Sequence, residues 1–301
     1  MNTSQNHFGR RIAAAVLLIA LLLAAVIVSL VVSTKDFRKE PAYAKPATST
    51  TQPATTAKPA AEPKDSKDSS NGKADGKPAP DSKTEQNEPD GKVIYLTFDD
   101  GPGPYTAKLL KILKKYEVPA TFFVTNQFPE YQDLIGEEAK DGHAIANHVY
   151  SHTYSRIYAD PHAFWTYYNK MNKVIEKQTG YKTYLLRFPG GSSNTVSRYF
   201  ETGIMKALSK ECKKRGITYV DWNVDCNDAG GANTSDAVYY NLINGVQQMT
   251  REKQPSVLLC HDIHPQTVNA MPRFIKWARS HGYTFELLSP NGFTVHMELA
   301  N

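Results

Sequence analysis

Residues 93–125 read VIYLTFDDGPGPYTAKLLKILKKYEVPATFFVT. VIYLTF (93–98) is dense in β-branched and aromatic residues and runs into Asp99-Asp100-Gly101-Pro102, a turn composition, so it reads as a strand. YTAKLLKILKKY then sets Leu109, Ile112, Leu113 and Tyr116 on one helical face. ATFFVT (120–125) is a second strand. Strand, amphipathic helix and strand in succession are the unit of a parallel sheet covered by helices.

The pattern continues outward from this unit. HAIAN (143–147), YLLRF (184–188), ITYVDWNVD (217–225), SVLLCH (256–261) and TFELL (284–288) read as further strands. Between them, AFWTYYNKMNKVIEKQTG is helical and ends on Gly180, a capping signal. The expected class is α/β, with a parallel sheet left open or closed into a (β/α) barrel; in either case the site lies at the ends of the strands. If 217–225 is one continuous strand, Trp222 points to the face opposite Asp225, into packing beneath a helix.

Upstream of this domain, which spans 92–301, no segment can join a packed core. Residues 12–33 carry no charge, and at about 1.5 Å per residue they span roughly 33 Å, enough for a hydrocarbon layer of about 30 Å. A transmembrane anchor is expected there, with Arg10 and Arg11 holding residues 1–11 in the cytoplasm and the rest outside the cell. A cleaved signal peptide fits less well. Its apolar core is about 7–15 residues, and the nearest small-x-small site, Ala42-Tyr43-Ala44, lies well beyond the apolar run. Residues 34–91 are built from Pro, Ala, Thr, Ser, Lys and Asp and hold eight of the 18 prolines. Such a segment cannot bury enough apolar surface to fold and is expected to be a disordered tether.

Charge removes another class of function. The chain carries a formal +5, to which residues 92–301 contribute 23 basic and 20 acidic side chains. A near-neutral folded domain is a poor nucleic-acid binder. Cys212, Cys226 and Cys260 form no CxxC pair and read as buried thiols, with a Cys226–Cys260 bridge left open. His7, His143, His162, His264, His281 and His296 have no motif partner and read as surface or core histidines.

The remaining polar residues fall where strands end. Asp99 and Asp100 follow the first strand, His148 and His152 the third, Arg187 ends the fourth, Asp225 the fifth, and His261 with Asp262 the sixth. A carboxylate pair, two closely spaced histidines, an arginine and a separate histidine on one rim suit a metal site with acid/base groups beside it.

Five ordered motifs resemble the polysaccharide deacetylases, the NodB-homology domains of carbohydrate esterase family 4. They are TFDDGP (97–102), HVYSH (148–152), RFPGG (187–191), DCND (225–228) and LCH (259–261). The resemblance implies a distorted (β/α) barrel of seven or eight strands and a divalent metal, most often Zn²⁺, with Co²⁺, Mn²⁺ or Ni²⁺ as alternatives. The implied reaction is hydrolysis of an N-acetyl group on an amino sugar. Asp100, His148 and His152 would bind the metal, Asp99 would be the base and His261 the acid. Arg187 would orient the base, Asp225 would support Arg187 or His261, and the Gly190 N–H would stabilise an oxyanion. Three residues depart from the family pattern: Val149 where Ser or Thr is common, Ala229 where a Trp often walls the acetyl pocket, and Gly190 where an aromatic residue is frequent. None is a ligand, base or acid.

The expectation is therefore a membrane-anchored hydrolase acting outside the cell on an N-acetylated wall glycan, peptidoglycan above all. Its alternatives are an O-acetyl esterase and a catalytically silent glycan-binding module. The aromatic-rich segment Tyr150–Tyr158 is read either as a glycan groove or as loop core.

Overall fold

The computed structural model describes residues 91–300. The anchor expected at 12–33 and nearly all of the tether at 34–91 lie outside the described residues; among those described, no helix is long and apolar enough to cross a membrane. In chain order the elements are β1 (Val93–Asp99), α1 (Thr106–Lys115), β2 (Thr121–Val124), α2 (Leu134–Lys140), β3 (Ala144–Asn147), α3 (Tyr154–Ile157), α4 (Pro161–Thr179) and β4 (Leu185–Leu186). They continue as α5 (Ile204–Arg215), β5 (Thr218–Tyr219), β6 (Val224–Asp225), α6 (Ser235–Arg251), β7 (Ser256–His261), α7 (Pro265–Ser280) and β8 (Thr284–Glu286). The helix ends follow from local chemistry. In α4 the Asp160 carboxylate accepts from the Ala163 N–H, Pro161 opens the first turn, and Gly180 closes the last at φ 84°.

All strand pairs are parallel, in the order β5-β4-β3-β2-β1-β7-β6. β1 is the axis of the sheet. It pairs with β7 from Ile94 to Asp99, with β2 at Thr97–Asp99 and with β8 at Val93–Tyr95. Its alternation sorts two cores. Ile94, Leu96 and Phe98 pack with helix residues such as Leu109, Leu113, Val246 and Phe274. Tyr95 faces inward with Phe123, Ala146, Leu185 and Val257, covered by Leu288, Phe293 and Val295.

The sheet is a half-barrel: its edge strands β5 and β6 are not paired with each other. Here the sequence reading needs correction, because ITYVDWNVD (217–225) is two short strands on opposite edges. Thr218–Tyr219 pairs with β4 and Val224–Asp225 with β7, so residues 220–223 cross the open side. The Arg187 side chain enters this opening and bonds the carbonyls of Val220 (3.0 Å) and Asp221 (3.0 Å), which then need no strand partner. The C-terminal segment closes the seam. Asp221 N–H donates to Val295 O (2.8 Å), and the buried Asp221 carboxylate accepts from the N–H groups of Met297 (2.9 Å) and Ser192 (2.8 Å).

YLLRF likewise contracts to Leu185–Leu186, since Arg187 turns its side chain into the barrel and Pro189 cannot donate to a ladder. The three cysteines are free and buried, so the bridge left open between Cys226 and Cys260 is not formed.

Candidate active site

β1 delivers two adjacent carboxylates in different directions. Asp99 still belongs to the strand and points inward, whereas Asp100 leaves it with φ 73°, a left-handed conformation that a non-glycine residue rarely adopts. The turn is held by Asp100 N–H to Phe123 O (3.2 Å), Thr125 N–H to Gly101 O (2.8 Å) and Thr125 Oγ1 to Asp100 O (2.8 Å). Gly101 is obligatory here: a Cβ would lie 2.2 Å from the buried Asp262 carboxylate, which Thr106 Oγ1 in turn bonds. Asp262, adjacent to His261 in sequence, therefore anchors the turn beneath the site.

HVYSH forms a tight turn after β3. The Asn147 side chain accepts from Val149 N–H (2.7 Å), and Val149 is buried at φ 58°. His148 Nδ1–H donates to the Arg187 carbonyl (2.8 Å), which fixes the tautomer and leaves the Nε2 lone pair free. Nε2 lies 3.6 Å from Asp100 Oδ1, and His152 Nε2 lies 3.8 Å from the same oxygen. The three donor atoms fall within 4.8 Å of one another. Burial drives the His148 pKa down to about 3, so the imidazole is neutral, as a ligand must be. Asp100 Oδ1 is buried with no hydrogen-bond partner, a costly arrangement that a cation relieves. Two imidazoles and one carboxylate fit a divalent metal with open positions.

Asp99 sits beside this cluster, its Oδ2 3.7 Å from His148 Nε2. Its other oxygen accepts from Arg187 NH1 at 2.8 Å, and the same NH1 donates to Thr97 Oγ1 at 2.6 Å. Burial raises the Asp99 pKa, while Arg187, His261 and His152 pull it back. A buried carboxylate with raised basicity, held by a guanidinium, is a suitable proton acceptor.

His261, the last residue of β7, is bound through Nδ1–H to Asp228 Oδ1 at 2.7 Å. Asp228 Oδ2 accepts from the His261 backbone N–H (2.8 Å) and from Thr267 Oγ1 (2.6 Å). Burial alone would lower the His261 pKa, but the hydrogen bond and charge of Asp228, with Asp100 and Asp99, outweigh it and raise it to about 10. The ring is a protonated imidazolium at neutral pH, ready to give a proton.

Asp225 has neither of the bonds expected of it. It is exposed and accepts from Asn227 N–H at 2.6 Å; Asp228 holds His261, and backbone carbonyls with Asp99 hold Arg187. β6 ends at Asp225, and the chain has to curl back before a carboxylate reaches β7, which it does at Asp228. Gly190 (φ 77°) lines the site, and its N–H has no acceptor among the described residues.

Asp99, Asp100, His148, His152, Gly190 and His261 line one cavity of about 260 Å³, together with Tyr154, Trp222, Ala229 and Leu259. Trp222 was expected on the opposite face. Because 217–225 is broken at residues 220–223, the strand alternation does not extend to it, and its indole faces the site, 5.7 Å from the Arg187 guanidinium. Of the residues missed as site members, Asp228 was visible as a second carboxylate in the DCND motif, whereas Trp222 carried no sequence signal that placed it here; Tyr154 belongs to the aromatic segment that the sequence left open between groove and loop core. Of the Tyr150–Tyr158 segment, Tyr158 is core, whereas His152 and Tyr154 face the cavity.

A parallel half-barrel bearing a His/His/Asp cluster beside a buried carboxylate and a protonated histidine has the residue set of a metal-assisted hydrolase. Residues 86–203 match the family described as polysaccharide deacetylase. The catalytic domain of a peptidoglycan N-acetylglucosamine deacetylase from Eubacterium rectale superposes with a TM-score of 0.68 at 47% identity, covering 70% of this chain and 94% of that one. A peptidoglycan-N-acetylglucosamine deacetylase of Bacillus cereus is 34% identical over 201 residues, 65% of this chain and 68% of its own length. Peptidoglycan-N-acetylmuramic acid deacetylase PdaA of Bacillus subtilis is 31% identical over 218 residues, 69% of this chain and 74% of its own. The chain belongs to the polysaccharide deacetylases of carbohydrate esterase family 4.

Two predictions separate the roles. His148→Ala and His152→Ala should lose bound metal and activity together, whereas Asp99→Asn should keep full metal content by elemental analysis and lose about 10²- to 10⁴-fold in turnover. Equal metal loss in all three would reverse the assignment of the two aspartates. Asp228→Asn removes the charge that keeps His261 protonated. With His261 as the acid, which works only below its pKa, the alkaline limb of the kcat/KM–pH profile should move to lower pH by about 1–3 units. An unmoved limb would take His261 out of the acid role.

Proposed function

We propose that this protein removes N-acetyl groups from the amino sugars of peptidoglycan, with Zn²⁺ as its metal, from a domain tethered outside the cell membrane. The observation that carries the reaction is that two groups, register partners at the ends of β1 and β7, line one cavity: Asp99, paired with Arg187, and His261, paired with Asp228. A carboxylate able to take a proton and an imidazolium able to give one are the two partners that amide hydrolysis requires.

A divalent ion held by Asp100, His148 and His152 supplies charge to polarise the acetyl carbonyl and acidify water. The chain's own residues do the rest. Asp99 takes a proton from the water whose oxygen attacks the carbonyl carbon. The Gly190 N–H faces the oxygen that becomes negative. His261 gives its proton to the sugar nitrogen as the C–N bond breaks, so the products are acetate and a free amine. Arg187 keeps Asp99 aimed, and the Trp222 indole forms an apolar wall.

Peptidoglycan is favoured because the relatives described above are named for it, and because an uncharged segment followed by a long tether suits a domain working in a cell wall. The sugar, N-acetylglucosamine or N-acetylmuramic acid, differs among those relatives.

Purified full-length protein incubated with peptidoglycan should yield muropeptides that have lost acetyl mass, with an equal release of acetate; mass spectrometry assigns the sugar. Glycan binding without acetate release by metal-loaded protein would establish the binding-module alternative, and release from O-acetyl groups alone the esterase. For the tether, protease added to wall-stripped intact cells should free a fragment close to residues 92–301. Protection of that fragment except in inverted vesicles would reverse the orientation.

A further inference from the structure

Tyr154 opens α3 two residues after His152 and is held from two sides. Its ring packs on the His152 ring (centroids 5.3 Å apart) and edge-on against Tyr158 (5.5 Å), a fully buried residue whose hydroxyl donates to Pro189 O at 2.8 Å. The phenol is thereby fixed to the 189–190 turn. Its oxygen takes the space that a side chain at 190 would need, since a Cβ built on Gly190 would lie 2.3 Å from Tyr154 Oη. Glycine at 190 is required twice, by φ 77° and by this hydroxyl.

Among the described residues the Tyr154 hydroxyl has no hydrogen-bond partner, and neither has the Gly190 N–H beside it. Two bond lengths of about 1.5 Å separate a Cβ from its own backbone nitrogen, which puts Oη within about 5 Å of Gly190 N. Two donors that close can both reach a single oxygen at about 2.9 Å. Both line the cavity that holds Asp99, Asp100 and His261.

We propose that the Tyr154 hydroxyl is a second oxyanion donor, which together with the Gly190 N–H bonds the acetyl oxygen as it becomes tetrahedral and negative. The inference rests on the deacetylation reading above and adds a catalytic residue to it. No atom is transferred at Tyr154: its O–H stays intact and donates a hydrogen bond that strengthens as charge develops on the oxygen. A donor that matters only as charge builds contributes to kcat more than to ground-state binding.

The test is Tyr154→Phe in the full-length, metal-loaded protein, assayed for acetate release from muropeptides. The ring and its packing on His152 remain, so metal content and melting temperature should match wild type. kcat should fall about 10²- to 10³-fold with KM changed far less. By calorimetry, a tetrahedral phosphonate analogue of the N-acetyl group should lose affinity by a similar factor, whereas acetate should bind nearly as before. Tyr154→Leu, which removes the ring as well, should show no greater loss of kcat per bound metal than Tyr154→Phe. An unchanged kcat in Tyr154→Phe, or a fall that simply follows lost metal, overturns this role and leaves the deacetylase reading standing. A wild type that releases no acetate overturns both.

Discussion

One buried guanidinium organises this domain. Arg187 is fully buried inside the half-barrel, and each of its nitrogens has an acceptor: Val220 O, Asp221 O, Thr97 Oγ1 and Asp99 Oδ1. Its backbone carbonyl accepts from His148. A single residue therefore fixes the Asp99 carboxylate, sets the tautomer of His148 and satisfies the two carbonyls left where the sheet fails to close. The Phe123 ring beneath it, 4.1 Å away, excludes water. Removing one member of such a desolvated pair costs about 3–5 kcal/mol, because the other charge is left alone. Catalytic geometry and barrel closure are thus one constraint.

The electrostatics of the site depend on that arrangement. Asp99 is buried and His261 largely so, yet burial acts on them in opposite ways, raising the carboxylic acid and lowering the imidazole. Their partners set the outcome. Arg187 keeps Asp99 ionisable, and Asp228 more than reverses the burial effect on His261. His148, buried without a direct anionic hydrogen bond, stays neutral and available as a ligand.

The cavity wall is assembled from residues distant in sequence. Ala229 offers little surface where an indole was a reasonable expectation, but Trp222 faces the same space, so the pocket keeps an aromatic wall from another direction. Gly190 has no side chain, and Tyr154 uses the vacated volume. The two small residues permit this pocket because larger neighbours enter it from β5–β6 and from α3.

The parallel sheet, the strand-end position of the site and the residues Asp99, Asp100, His148, His152, Arg187 and His261 were legible in the sequence. Each depends on local patterning: a period of two or of 3.6, a turn composition, or a short motif beside a strand. Three things were decided by the tertiary structure alone. Residues 217–225 have the composition of one strand, yet Tyr219 and Val224 serve opposite sheet edges, because Arg187 occupies the opening between them. The carboxylate that holds His261 is Asp228 rather than Asp225, since contact across β7 depends on how the chain curls after β6, which spacing does not encode. Trp222 enters the cavity for the same reason, and packing alone chose Tyr154 of the Tyr150–Tyr158 segment for the cavity and Tyr158 for the core. Local sequence specifies which face of an element is apolar, whereas the neighbours of a side chain beyond the end of that element are fixed only when distant segments pack.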